Sequence, residues 1–380
     1  MFELNDEQKE IQALARNFAE KEIAPYADEW EEKEYFPREI FTKMAELGFA
    51  GMYIPEKYGG IDIDRVSAIL IAEELGRVQR AMGFIYIHNI VTEIIHEHGT
   101  EEQREKWLPP MTAGQLLGAF VLTEPGAGSD AANIKTRAVK QGDNYVLNGT
   151  KCFITNADVA DVMLVAAKTD PNAGSRGVSL FIVPVKTTKG LSVPKIEKTM
   201  GVRSTHICEV VFEDCLVPAE NLVGGIENKG FKMLMNGLEG GRITNGALAL
   251  GVAQGAYEIA KNYAKERKVF GQSLIDVQVI QFMLVEMATE IQAARLLARY
   301  AAWYKEQNLP SAGKYASMCK YHCADLAMKT TTNAVQVLGG FGYCADYKVE
   351  RMMRDAKMTQ IVEGACEIQR LIIGRELVKD

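Results

Sequence analysis

No apolar run in the sequence approaches the length of a bilayer span; the longest, such as "LLGAFVL" (Leu116 to Leu122), fall far short. Excess positive charge is also missing. With 43 Lys and Arg against 50 Asp and Glu, the net charge is -7, which argues against broad binding to nucleic acid or an anionic membrane surface. The opening "MFELNDEQKEIQALARNF" is charged from its third residue, so no secretory or transit peptide is expected. Seven scattered cysteines, an odd number, make no disulfide framework and point to free thiols in a reducing, cytoplasmic setting. Cys319 and Cys323 flank His322 without a second ligand pair; on a helical stretch they read as buried small residues, and no metal is expected. The five histidines (His88, His96, His98, His206, His322) sit in no diagnostic setting, and there is neither a GxSxG elbow nor a P-loop.

What is present is an ordinary globular composition, 47% hydrophobic and 24% charged over 380 residues, enough for two or three domains. The periodicity predicts a mainly α protein with a central β domain. Residues 1–118 read as an N-terminal helical domain. Asn5 is a plausible helix cap with Gln8 three residues on, and Ile11, Leu14, Phe18 and Ile23 follow at helical spacing. Further helices are expected in "VSAILIAEELGRV" and in "VTEIIHEHG", the latter stopped by Gly99. Residues 119–227 carry short β-rich runs separated by turn-formers, which predicts a compact antiparallel sheet or barrel. Residues 228–380 turn helical again in four long segments, the signature of a four-helix bundle.

Five segments carry candidate chemistry. "LTEPGAGSD" (Leu122 to Asp130) lets backbone amides approach a planar or phosphorylated ligand, or is a tight connection between domains. "KCFITNA" places Phe153 and Thr155 on one strand face, suited to a flat heterocycle or to a core strand with a polar tip. In "LEGGRI" (Leu238 to Ile243) two glycines weaken a helix by about 1 kcal/mol each, so something approaches closely there. Arg242 beyond them suits a phosphate or carboxylate, or a solvent salt bridge. "ERKVFGQ" and "AVQVLGGFGY" offer Arg267 for a pyrophosphate and Phe270 for ring stacking, or simply helix ends with turns. In "QIVEGACEIQR", Glu363 stands just before a helix expected to begin near Cys366. It is either a helix-dipole carboxylate, stabilising by about 0.3–1 kcal/mol, or a general base whose pKa apolar neighbours raise.

Taken in order, "LTEPGAGSD", "KCFITNA", "ERKVFGQ", "QVLGGFGY", "ERMMRDAK" and "VEGACEIQR" resemble the acyl-CoA dehydrogenase family from about Asn5 to Leu377, essentially the whole chain. The resemblance implies a β-barrel-like middle domain between two helical ones, a homotetramer (a dimer of dimers), and one FAD per subunit. By matching, Phe120, Leu122, Thr123, Gly128 and Ser129 would meet the flavin or thioester, and Phe153 and Thr155 would flank the isoalloxazine. Arg267, Phe270, Gln278, Gln336, Val337, Gly339 and Gly340 would hold the pyrophosphate and adenine across a subunit interface. Ala365 and Glu367 also fall at cofactor positions. Leu238, Glu239 and Arg242 would meet the acyl-CoA, with Ser129, Val362 and Gly364 nearer the thioester. Glu363 matches the catalytic base, which removes the α-proton while the β-hydrogen leaves as hydride to flavin N5. Its backbone N–H and a flavin ribityl hydroxyl would polarise the thioester carbonyl.

Three departures stand out. "VEGA" replaces the usual "YEGT", so Val362 stands for a tyrosine and Ala365 for a threonine. Glu239 replaces an aspartate. The segment "GFIYIHNIVTE" (Gly83 to Glu93) is expected to line the acyl pocket, with His88 and Asn89 either beside a polar or ring-bearing chain or facing solvent or capping a helix. One family branch carries its base near Gly241; here that position is glycine. No carboxylate stands where glutaryl-type relatives place one, so a dicarboxylic substrate is not expected. The expectation is therefore an FAD-dependent dehydrogenase of a short, branched or cyclic acyl-CoA, with electron-transfer flavoprotein as partner. The alternatives are an enoyl-CoA reductase on the same scaffold, an acyl-carrier-protein oxidase, which Glu363 disfavours, and a non-catalytic helical scaffold.

Overall fold

The computed structural model describes residues 3–378. Helix α1 (Asp6–Phe18) opens on a capping box: the Asn5 side chain accepts from the Gln8 amide at 2.8 Å while the Gln8 side chain accepts from the Asn5 amide. Short helices α2 (Ala27–Glu32) and α3 (Arg38–Glu46) lead to α4 (Arg65–Val78), α5 (Phe84–His98) and α6 (Glu101–Thr112). Helix α5 starts seven residues earlier than "VTEIIHEHG" suggests, because its first half is buried nearly all round and shows no stripe.

Strands β1 (Gly118–Val121), β2 (Arg137–Gln141), β3 (Asn144–Thr155), β4 (Val162–Lys168), β5 (Val178–Pro184), β6 (Leu191–Ile196) and β7 (Ile207–Pro218) form one curled, half-barrel sheet in the order β1-β4-β2-β3-β7-β6, with β5 paired to β4. The expected compact antiparallel sheet or barrel is a half-barrel with mostly antiparallel pairs, in which β1 and β2 run parallel to β4. The neighbour of β1 comes from over forty residues downstream, so local turn signals carry no trace of that pairing. Apolar side chains on one face of this sheet, among them Tyr145, Phe181 and Phe212, make the β core.

Helix α7 (Gly230–Glu266) begins the C-terminal part, followed by the short hairpin of β8 (Lys268–Val269) and β9 (Gln272–Ser273), then α8 (Gln278–Glu306) and α9 (Ala312–Leu338). Helices α10 (Val349–Thr359) and α11 (Cys366–Leu377) pack along α9. The fourth member of the bundle is thus broken, and the break, residues 360–365, carries Glu363. Helix α4 lies so close to α7 that a methyl group at Gly251 would strike the Glu73 carbonyl. That crossing joins the N-terminal helices and the bundle in one core running from Phe18 through Met82 to Leu338.

Candidate active site

Glu363 is placed by the segment between α10 and α11. Its backbone is left-handed (φ 55°), as is that of Gly364 (φ 87°), a conformation that costs a non-glycine residue about 1–3 kcal/mol. Two side chains hold it there. Gln369 Nε2 donates to the carbonyls of Glu363 (3.2 Å) and Gly364 (2.9 Å), and the buried Lys320 Nζ donates to Gly364 O at 2.9 Å. The Cys366 amide closes the turn on Gln360 O at 2.9 Å.

Thus directed, the carboxylate points inward onto α7. A Cβ at Gly241 would lie 2.7 Å from Glu363 Oε2 and 2.8 Å from Ile90 Cδ1, so the close approach expected at "LEGGRI" is made by Glu363 itself. Oε2 is shut off from solvent and has no hydrogen-bond partner. Burial raises the carboxyl pKa, and the charges of Arg80, Lys320 and Arg242 oppose that rise without cancelling it. Arg242 is itself mostly buried, which depresses its pKa, and its Nε is unpartnered. Glu239 is tied to Lys305 Nζ of α8 at 3.1 Å.

The "LTEPGAGSD" segment follows β1, which packs against α5. Ile90, Ile94, Leu122, Ala127 and Leu234 belong to one apolar cluster, with Phe120 and Leu238 packed at its edge. Lys151 anchors the segment from β3: its fully buried Nζ donates to Leu122 O and to Glu124 Oε1, both at 2.9 Å. Burial lowers the Lys151 pKa to about 8. Burial alone would raise the Glu124 carboxyl, but Lys151 and the Lys135 and Thr136 amides outweigh it and hold it below its ordinary value. Beyond this anchor the loop is open. Gly128 and Ser129 are exposed, and added Cβ atoms at Gly126 and Gly128 would meet nothing within 4 Å.

Phe153 stands out from β3, 66% exposed, with a left-handed backbone (φ 57°) inside a bulge against β7. The strict alternation with half-buried Thr155 is broken there by the bulge. At the far end of α7, Arg267 lies over the Phe341 ring at 5.8 Å, which brings it to the "GGFGY" turn that ends α9. Phe270, at the tip of the β8–β9 hairpin, is 99% exposed and also left-handed (φ 51°). Gln278, Gln336, Gly339 and Gly340 are exposed, and Val337 is buried. Added Cβ atoms at Gly339 and Gly340 would again meet open space. Val362, Gly364 and Ala365 are half-buried around Glu363, and Glu367 is exposed on the first turn of α11.

The substrate-binding expectation for His88 is corrected. Its Nδ1 accepts from the Gly118 amide at 3.0 Å and its ring stands edge-on to Phe41 at 5.0 Å, fully buried. Two residues are about 200° on a helix, so His88 faces nearly opposite to Ile90, the side chain that meets the Glu363 site. Asn89 likewise neither faces solvent nor caps: it bonds Phe49 O, Ile85 O and the Met52 amide. Sequence reasoning missed Arg80 and Lys320, buried cations near the base that belong to no motif, and Gln369, which lies inside "VEGACEIQR" but was not singled out.

A buried carboxyl oxygen beside apolar side chains, an open glycine loop and exposed rings beside an arginine are the candidate features of the site. Known proteins resemble the chain along its whole length. The family profiles "Acyl-CoA dehydrogenase, N-terminal domain", "middle domain" and "C-terminal domain" match residues 5–115, 119–215 and 228–378. The "Acyl-CoA dehydrogenase, short-chain specific" of Clostridium acetobutylicum is 45% identical over the whole of both chains. The "Acryloyl-CoA reductase (NADH)" of Anaerotignum propionicum is 44% identical, covering 100% of this chain and 96% of the other. A chain from a structural study of the electron transferring flavoprotein of Acidaminococcus fermentans superposes over the whole of both chains with a TM-score of 0.97 at 44% identity. The chain belongs to the acyl-CoA dehydrogenase family, flavin-dependent oxidoreductases whose cofactor is FAD.

Proposed function

We propose that the protein catalyses the α,β-dehydrogenation of a short, branched or cyclic acyl-CoA thioester to the 2-enoyl-CoA, with Glu363 as the base. The observation that carries this is Glu363 itself: a strained, clamped residue whose buried Oε2 has nothing to bond and whose pKa is raised. A base kept unsatisfied on a dry apolar wall is suited to take a weakly acidic carbon-bound proton. The Glu363 N–H, fixed by the same turn, is offered to the thioester oxygen and stabilises the enolate as the proton leaves. FAD, when bound, supplies the acceptor for the β-hydrogen and its two electrons. The open glycine segments 126–128 and 339–340 leave room for the cofactor, and Phe153, Thr155, Arg267 and Phe270 would hold it. Because the ionised carboxylate is the active form, substrate-driven flavin reduction should rise with pH through the raised pKa of Glu363.

The partner reading is electron-transfer flavoprotein, supported by the likeness to a chain studied with that protein. Homotetramer formation is supported by exposed apolar side chains along α8, Val279, Phe282 and Val285, and by Phe270, a ring that only a second copy or a ligand would cover. The unpaired cysteines fit a cytoplasmic setting, and no described helix is long and apolar enough to cross a membrane. A reductase running the reaction backward uses the same residues, and the acryloyl-CoA reductase relative favours keeping that second reading. Anaerobic titration of the purified holoprotein with straight, branched and cyclic acyl-CoAs tests the proposal. The yellow flavin should bleach with at least one of them; full retention of colour with every saturated thioester, alongside reoxidation of reduced flavin by enoyl-CoA, would favour the reductase.

A further inference from the structure

The turn between α2 and α3 meets the β domain at two charged contacts. At the start of α3, Arg38 donates to Val159 O at 3.0 Å and to the Asp161 carboxylate at 2.6 Å. Within the turn, the Glu34 carbonyl lies 3.0 Å from Nε2 of His206, the residue just before β7. The other ring nitrogen, Nδ1, is 2.6 Å from Asp158 Oδ2, three residues past the end of β3. The two β segments are joined there as well: the Asn156 amide donates to His206 O at 2.7 Å, and the His206 amide to Asn156 Oδ1 at 3.0 Å. Glu34 and Asn156 both hold left-handed backbones (φ 50° and 55°), strained for residues other than glycine.

Both partners of the His206 ring are acceptors. A carbonyl has no proton to give, and Asp158 is ionised: burial alone would raise its carboxyl, but His206 and the Cys208 thiol outweigh it. A neutral imidazole carries one N–H, so bonding both oxygens takes the doubly protonated ring. The bond to Asp158 accordingly raises the His206 pKa, and the Glu34 carbonyl adds to that rise while burial opposes it. The Glu34 carboxylate also favours the charged ring. Burial pushes the Cys208 thiol up to about 12, so it stays neutral. The cations on either side in sequence, Lys33, Arg38 and Arg203, are engaged with Glu29, Asp161 and Thr199 O.

We infer that His206 is a protonation-dependent latch that fastens the α2–α3 turn to the end of β3, closed while the ring is an imidazolium and open once it loses a proton. Asp158, the charged and stronger acceptor, keeps the remaining N–H on Nδ1. Nε2 then turns a lone pair toward Glu34 O, and the turn loses its donor. The sign follows from the raised histidine. The contact is complete at and below the ordinary histidine value of about 6.5, and it is lost as pH rises through the higher value of the folded protein. Arg38 keeps its charge throughout, so the opening is confined to the turn and does not undock α3.

Hydrogen exchange of the holoprotein, read by mass spectrometry on the peptide covering residues 33–37, tests the latch. The ratio of the His206→Leu rate to the wild-type rate, taken at each pH, cancels the intrinsic pH dependence of exchange. It should be about tenfold near pH 6 and fall within about twofold near pH 9, with its midpoint above about 6.5. Asp158→Asn removes the charge that holds the proton, so the loss of protection in that variant should come at lower pH than in wild type. A ratio that stays constant across the range would overturn the inference, as would a midpoint below about 6.5 or one that Asp158→Asn leaves in place. If His206→Leu fails to fold, wild type alone decides. Protection of residues 33–37 relative to residues 86–95 of α5 should then fall through the same window, and constant relative protection would overturn the latch.

Discussion

Around Glu363 the chain closes on itself, whereas around Gly128, Phe270 and Gly340 it stops short. The base is held by Lys320 and Gln369, roofed by Ile90 and seated on a glycine cut out for its carboxylate. The other surface offers glycines with nothing opposite them and two aromatic rings turned outward. Yet Glu363, Phe153 and Phe270 all carry left-handed backbones. Strain is stored in both regions, but only the first is explained by contacts within the chain. The proposed base is thus held by contacts within this chain, and the second region is the surface proposed for the cofactor.

Substitutions other than at Glu363 can break this contrast, and the largest effect is expected at Lys151. Lys151→Met leaves Glu124 buried and unpaired and should lower stability by about 3–5 kcal/mol, read by chemical denaturation. A loss below about 1 kcal/mol would show that the "LTEPGAGSD" loop does not depend on that anchor. Gly241→Ala pushes a methyl group into Glu363 Oε2 and should slow substrate-driven flavin reduction about 100-fold with FAD content unchanged. A wild-type rate would mean the carboxylate works from elsewhere. His88→Ala strands the Gly118 amide and should cost about 1–3 kcal/mol of stability with an unaltered acyl-chain profile. A changed profile would return His88 to the pocket. Arg267→Ala, at the open surface, should weaken FAD retention about tenfold, roughly 1.4 kcal/mol, without disturbing stability. Equally tight flavin would remove Arg267 from the cofactor surface.

The legible parts of the molecule were those governed by neighbours in sequence. Asn5 and Gln8 announce their capping box, and Cys366 begins α11 where the apolar spacing starts. Glu363 became readable through the order of motifs along the chain. Its support did not, because Lys320 lies over forty residues away and Arg80 nearly three hundred, and a buried cation on a helix resembles any other in the sequence. His88 could not be oriented from the sequence because α5, buried nearly all round, shows no stripe. The parallel pairing of β1 with β4 was hidden for the same reason: its cause is long-range packing, not a turn.

The central claim is that Glu363 removes the α-proton, and Glu363→Gln tests it most directly. The substitution keeps the shape and the clamped turn while deleting the base. Mixed anaerobically with an acyl-CoA that bleaches the wild type, the variant should remain yellow, its rate of flavin reduction lower by at least about 10²–10⁴-fold. Bleaching at the wild-type rate would contradict the account.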